Sequence, residues 1–171
     1  MLESGAISKI ALEFVTDDDY DVQVNRSLAI VGGQLDLSRC YLFIDSEDGA
    51  TTTNTHEWCA DGVESQITNL ADIPYSRIPG WKAILERESV YAAKDIASMP
   101  AELRALLEPQ GIRAIVIVPL LVEGRVRGFL GFDECRRTRP WTHTEIETLR
   151  TLSGIIATAY SKRLLDRKSV V

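Results

Sequence analysis

Three kinds of side chain in this sequence could carry chemistry, and their spacing decides which chemistry is open to them. Cys40, Cys59 and Cys135 are the cysteines. They lie far apart with no Cys-x-x-Cys pair, an odd count that fits a reducing compartment better than a disulfide scaffold. One thiolate attacking a sulfoxide, with a second thiol resolving the product, is open to such a set only if folding brings two together. His56 and His143 are the two histidines, too few to supply the ligand count of a metal, so neither metal nor haem is expected. Asp17-Asp18-Asp19 lacks a Gly or Glu at calcium-loop spacing and is read as a turn and helix cap. No serine sits in a nucleophile elbow. No catalytic residue is assigned, and an enzyme is not expected.

Binding has better material than catalysis. Tyr41, Phe43, Trp58, Tyr75 and Trp81 supply the aromatic walls that small-molecule pockets use, although each could equally fill a core. Arg113 opens an apolar strand, where its fixed charge could meet a carboxylate or phosphate, or pair with Glu57 or Asp133. The candidate ligand-binding set is therefore Tyr41, Phe43, Trp58, Trp81, Arg113 and Asp133. Simple alternation places His56 on one strand face with Asn54 and Trp58.

The elements that must position these residues are legible in pattern. Ile7, Ile10, Ala11 and Phe14 predict an amphipathic helix over residues 4–15. Asp19 or Asp21 caps a second helix, in which Val24, Leu28, Val31 and Leu35 form a coiled-coil-like seam and Gly32-Gly33 weakens the last turn. Residues 40–45 are a strand apolar on both faces, and a turn at 46–49 returns the chain along 51–59 as a hairpin. Residues 60–79 show no period and are read as a functional lid or binding loop. Helices begin near Pro79 and Pro100, with a short strand at 89–92 between them. Strands 112–121 and 126–133 flank a tight turn at 122–125. Thr142-His143-Thr144-Glu145 is a capping box. It starts a helix carrying Ile146, Leu149, Leu152, Ile156 and Leu164 and running to about Asp166. This order predicts an α+β fold, an antiparallel sheet between two helical layers.

The chain has 171 residues, which is one domain or one domain plus a helix, and a net charge of −6. That balance argues against a surface dedicated to nucleic acid or anionic lipid. The longest apolar run, 114–122, contains Pro119 and falls far short of the roughly 18 residues of a membrane span. No secretory signal is visible, so a cytoplasmic location is expected, without membrane insertion.

Gly111-Ile112-Arg113-Ala114 leading into Val116-Ile117-Val118-Pro119-Leu120, then Gly124-Arg125-Val126-Arg127-Gly128-Phe129-Leu130-Gly131-Phe132-Asp133, resembles the signature of GAF domains. Trp141-Thr142 with Glu145-Ile146-Glu147-Thr148-Leu149 is similar to the start of that family's last helix, and Ser38-Arg39-Cys40-Tyr41-Leu42-Phe43 to its first strand. The likeness spans about residues 22–165. It implies a profilin/PAS-related antiparallel sheet of five to six strands between terminal helices and an α/loop layer. The implied boundaries are a helical extension at 1–20, the domain at 21–166, and a tail at 167–171 toward a possible output domain.

The implied function is a small-molecule sensor in a bacterial-type signalling protein, a histidine kinase or a diguanylate cyclase/phosphodiesterase, relaying pocket occupancy through its terminal helices. A homodimer would pair through Val24, Leu28, Val31, Ile146, Leu149 and Ile156. The alternatives are a ligand-free dimerisation module and a thiol-based methionine-sulfoxide reductase. Phe129-x3-Asp133-Glu134 is similar to half of the pattern in cyclic-nucleotide-binding members. The matching Asn-Lys/Arg half is missing, since Asn25-Arg26 precedes the first strand. Bilin-binding members use a Cys generally followed by His. Here Cys59 precedes Ala60 and Cys40 lies in an apolar strand, so no bilin is expected and the effector is unknown.

Overall fold

The strongest local patterns form as their residues dictate. In the computed structural model, which describes residues 2–169, strands β5 (Ala114–Val122) and β6 (Arg125–Glu134) are joined by Glu123-Gly124. Both turn residues have positive φ, 53° and 77°, as a two-residue hairpin turn of matching twist requires. The capping box forms in both directions. The Thr142 N–H donates to Glu145 Oε1 at 2.9 Å and the Glu145 N–H to Thr142 Oγ1 at 3.1 Å, opening helix α5 (His143–Ser169). Helices α1 (Leu2–Glu13) and α2 (Tyr20–Gln34) come first. Asp19 occupies the N-cap position of α2 without a side-chain capping bond. Met1, Val170 and Val171, which belong to the expected extension and tail, lie outside the described residues.

Strands β1 (Arg39–Asp45) and β2 (Thr51–Cys59) form the first hairpin. The segment expected to be loop contributes β3 (Ile73–Pro74) at one edge, and β4 (Tyr91–Ala93) lies at the other. Between them sit the short helices α3 (Trp81–Arg87) and, after β4, α4 (Ala101–Leu107). The sheet order is β3-β2-β1-β6-β5-β4, with every neighbouring pair antiparallel.

Apolar residues on both faces of the central strands require cover on both sides. Cys40 and Leu42 of β1 enter a core with Val116, Val118, Leu130 and Phe132, covered by α1, α2 and α5. Tyr41 and Phe43 enter a second core with Ile115, Ile117 and Phe129, covered by α3, α4 and the connecting segments. No helix among the described residues is long and apolar enough to cross a membrane.

The residues expected to pair two copies are spent inside one. Val24, Leu28, Val31, Leu149 and Ile156 are each 0% exposed in the helix-side core, and Ile146 packs against it. An apolar helical stripe has the same spacing whether it meets a sheet or a second copy. Here it meets this chain's own sheet, so the seam is corrected to core.

Candidate ligand-binding site

The second face of the sheet holds a buried polar set beside an apolar cavity. Arg39 heads β1, Asp133 lies opposite it on β6, and the two are 2% and 1% exposed. Two ionised groups this deep must satisfy each other. Arg39 Nη1 donates to Asp133 Oδ2 at 3.0 Å, and the Tyr41 hydroxyl donates to Asp133 Oδ1 at 2.8 Å. Tyr41 crosses β6 over Gly131, where a Cβ would come within 2.4 Å of the phenol oxygen. A larger residue there would displace the ring.

Arg39 also ties the covering layer to the sheet. Its Nε donates to the Glu64 carbonyl at 3.0 Å, and its Nη2 donates to the Gln110 carbonyl. Burial works against the guanidinium charge, and Asp133 more than restores it, so Arg39 stays a cation. Burial pushes the Asp133 carboxyl up to about 6, with Arg39 pulling the other way.

The cavity lies between β1, β2, β6 and the layer of α3, α4 and residues 60–79. Tyr41, Phe43, Trp81 and Phe129 form its aromatic wall, and Asn54, Glu57 and Gln66 its polar side. About 40 Å³ is open to the centre of a water molecule, room for a few waters. The Phe43 and Phe129 rings stack with centroids 4.4 Å apart, and Trp81 meets Phe129 edge-on at 5.6 Å. Trp81 Nε1 is buried with no hydrogen-bond partner. Glu57 accepts from the Ser65 hydroxyl at 2.6 Å and the Gln66 N–H at 3.2 Å, which pins the loop to β2. Tyr75 donates to Asp45 Oδ1 at 2.6 Å and pins it again near β3.

Of the residues singled out in the sequence, Tyr41, Phe43, Trp81 and Asp133 line the cavity; Trp58 and Arg113 do not. Trp58 lies on the opposite face against α2 and the helix-side core. The cause is a register step between Leu42 and Phe43: Leu42 pairs with His56 but Phe43 with Asn54, leaving Thr55 as the extra residue of a bulge. Asn54 and Glu57 therefore face the cavity, while His56 and Trp58 face the helices, and the expected grouping of His56 with Asn54 is corrected. Arg113 is exposed, and neither expected pairing forms, because Arg39 already holds Asp133. Arg39, Asn54, Gln66 and Phe129 were missed. The available signal was Arg39 itself, a charge at the head of a strand apolar on both faces, which must find a buried counter-charge.

On the helix side, His56 Nε2 lies 2.8 Å from Asp21 Oδ1, which also accepts from Arg163 Nη1 of α5 at 3.1 Å. Burial lowers the His56 pKa, with Asp21 resisting. Burial pushes Cys59 up to about 12 and also raises Cys40 and Cys135. Burial thus disfavours the thiolate at all three.

A six-stranded antiparallel sheet with terminal helices on one face and a cavity under short helices and loops on the other defines an α+β module. The family model for the GAF domain matches residues 19–160, and the chain belongs to the GAF domain family. It is 33% identical over 167 residues to the methanogenesis regulatory histidine kinase FilI of Methanothrix harundinacea (strain 6Ac), covering 94% of this chain. The chain spans only 18% of that relative's length. Among solved structures it is similar to the phycocyanobilin-bound GAF domain of a cyanobacterial phytochrome, with a TM-score of 0.83 at 15% identity and 96% of each chain covered. It is also similar to a phycoerythrobilin-bound GAF domain of a cyanobacterial phytochrome, with a TM-score of 0.82 at 14% identity, covering 96% of this chain and 97% of that one.

These structures correct the expectation that no bilin would be bound, because domains of this same fold hold bilins. The missing Cys-His pair bears only on a thioether tether. It gives no ground for excluding the chromophore class from the fold.

Proposed function

We propose that this chain is a cytoplasmic small-molecule sensory domain of a histidine-kinase-type signalling protein, with occupancy of the cavity relayed through α5 to an output domain in the same or a partner chain. The observation that carries this reading is the buried Arg39–Asp133–Tyr41 set. It stands at the cavity wall and bonds the two segments, at Glu64 and Gln110, that must shift when a guest enters. Its neighbours lead to the other face. Ser38 donates to Glu134 Oε2 at 3.1 Å, Arg139 Nη1 to Glu134 Oε1 at 3.2 Å, and Arg139 Nη2 bonds Glu145 in the first turn of α5. Adjacent residues at the entry to β1 and the end of β6 thus touch the cavity on one side and lead to the start of α5 on the other. A guest shifts α5 only as far as it prefers one arrangement, about 1.4 kcal/mol for each tenfold in affinity. The histidine kinase relative supports the output named here.

Native mass spectrometry of the purified protein should detect a co-purified small molecule. Hydrogen exchange with and without it should change residues 60–79 and the first turns of α5 together. Protection confined to the cavity segments would remove the relay. A protein that carries and binds nothing would leave the ligand-free module.

A further inference from the structure

Trp81 is 3% exposed, lines the cavity, and has an indole Nε1–H with no acceptor. An indole nitrogen is a donor only, and leaving it buried and unmatched costs free energy that an acceptor would recover. The charged groups of the cavity are by contrast already used. Each Arg39 nitrogen donates within the protein, to Glu64, Asp133 and Gln110. Both Asp133 oxygens accept, from Arg39 and Tyr41. With Arg39 neutralised by Asp133, the Glu57 carboxylate leaves the wall net negative. An entering carboxylate or phosphate would have to break a buried ion pair against that charge.

We propose that the portion of the ligand lodged in this cavity is uncharged and largely apolar, and presents a carbonyl- or ether-type oxygen to Trp81 Nε1. This rests on the reading of the cavity as the ligand site. Trp81 is then the residue that tells an acceptor-bearing guest from a plain hydrocarbon, while Phe43 and Phe129 supply the apolar contact. Any charged group on the same ligand would lie outside the cavity.

Three probes of matched shape test it on the full chain: acetophenone (neutral, with an acceptor), ethylbenzene (neutral, without one) and benzoate (anionic). Titrations followed by NMR should show acetophenone binding about fivefold tighter than ethylbenzene, the worth of one net hydrogen bond. Benzoate should show no saturable binding. Trp81→Phe keeps a ring but removes the donor, so the preference for acetophenone over ethylbenzene should fall to near unity. In the unmodified protein, which needs no variant to fold, acetophenone should move the Trp81 indole N–H resonance downfield and ethylbenzene should not. Benzoate binding as tightly as acetophenone, or an indole resonance indifferent to acetophenone, would overturn the inference and leave the cavity as a ligand site. Failure of all three probes would overturn both.

Discussion

Asp133 accepts from the Arg39 guanidinium and from the Tyr41 hydroxyl while 1% exposed. At this depth the net worth of the pair is small, because desolvation offsets attraction, but the cost of breaking it from one side is large. Asp133→Asn keeps the shape and strands the Arg39 cation, and should cost about 3–5 kcal/mol in urea unfolding. Replacing both partners by apolar residues, Arg39→Met with Asp133→Leu, should recover much of that loss. A single Asn variant as stable as the parent would show that the two charges are not coupled. Asp133 was placed at the site from its resemblance to a known pattern. Arg39 and Arg113 both stand at the head of an apolar strand, and only the strand opposite decides that Arg39 turns inward to Asp133 while Arg113 stays exposed.

At the scale of elements, α2 and β2 fit closely against each other. A Cβ on Gly32 would lie 2.1 Å from Trp58 Cε3. Gly32 therefore marks where β2 presses on the helix, rather than a frayed last turn. Gly32→Ala gains up to about 1 kcal/mol of helix propensity but forces a rigid indole to move in a packed layer, an overpacking cost of about 1–3 kcal/mol. Because the ring has no flexible end to swing aside, a net loss is expected in thermal unfolding, and Trp58→Leu in the same background should restore stability. A stabilised Gly32→Ala would mean that α2 does not bear on β2. The Thr55 bulge that turns Trp58 to this side was invisible in the sequence. Thr55 sits in a run of Thr and Asn residues with no punctuation, and a bulge is a property of two paired strands.

The whole molecule's response to pH follows from groups that knit its layers together. Burial alone would raise the Glu134 carboxyl, but bonds from the Arg136 side chain and backbone hold it at about 2. Its stabilising contribution is complete above the ordinary value near 4.5 and disappears as pH falls toward 2, since over that range only the unfolded chain takes up the proton. His56 acts in the same direction earlier. Its folded pKa lies below 6.5, so unfolding gains a proton as pH drops through that value. Chemical denaturation across pH should therefore show a first loss as pH drops below 6.5 and a steeper fall between 4 and 2. Glu134→Gln should flatten the fall. A fall that survives that change would place the acid sensitivity elsewhere.

The sequence by itself determined the order of strands and helices apart from β3, the β5–β6 turn, the capping box of α5, and the need for cover on both faces of the sheet. These are signals carried within a few neighbouring residues, or by a period along one element. Only the tertiary structure decided that Trp58 faces the helices, that Arg39 rather than Arg113 holds Asp133, and that the seams of α2 and α5 are consumed by this chain's own sheet. Each of those outcomes depends on a partner distant in sequence. A strand greasy on both sides has no preferred parity, and a buried charge has no preferred partner, until its neighbours in space are in place.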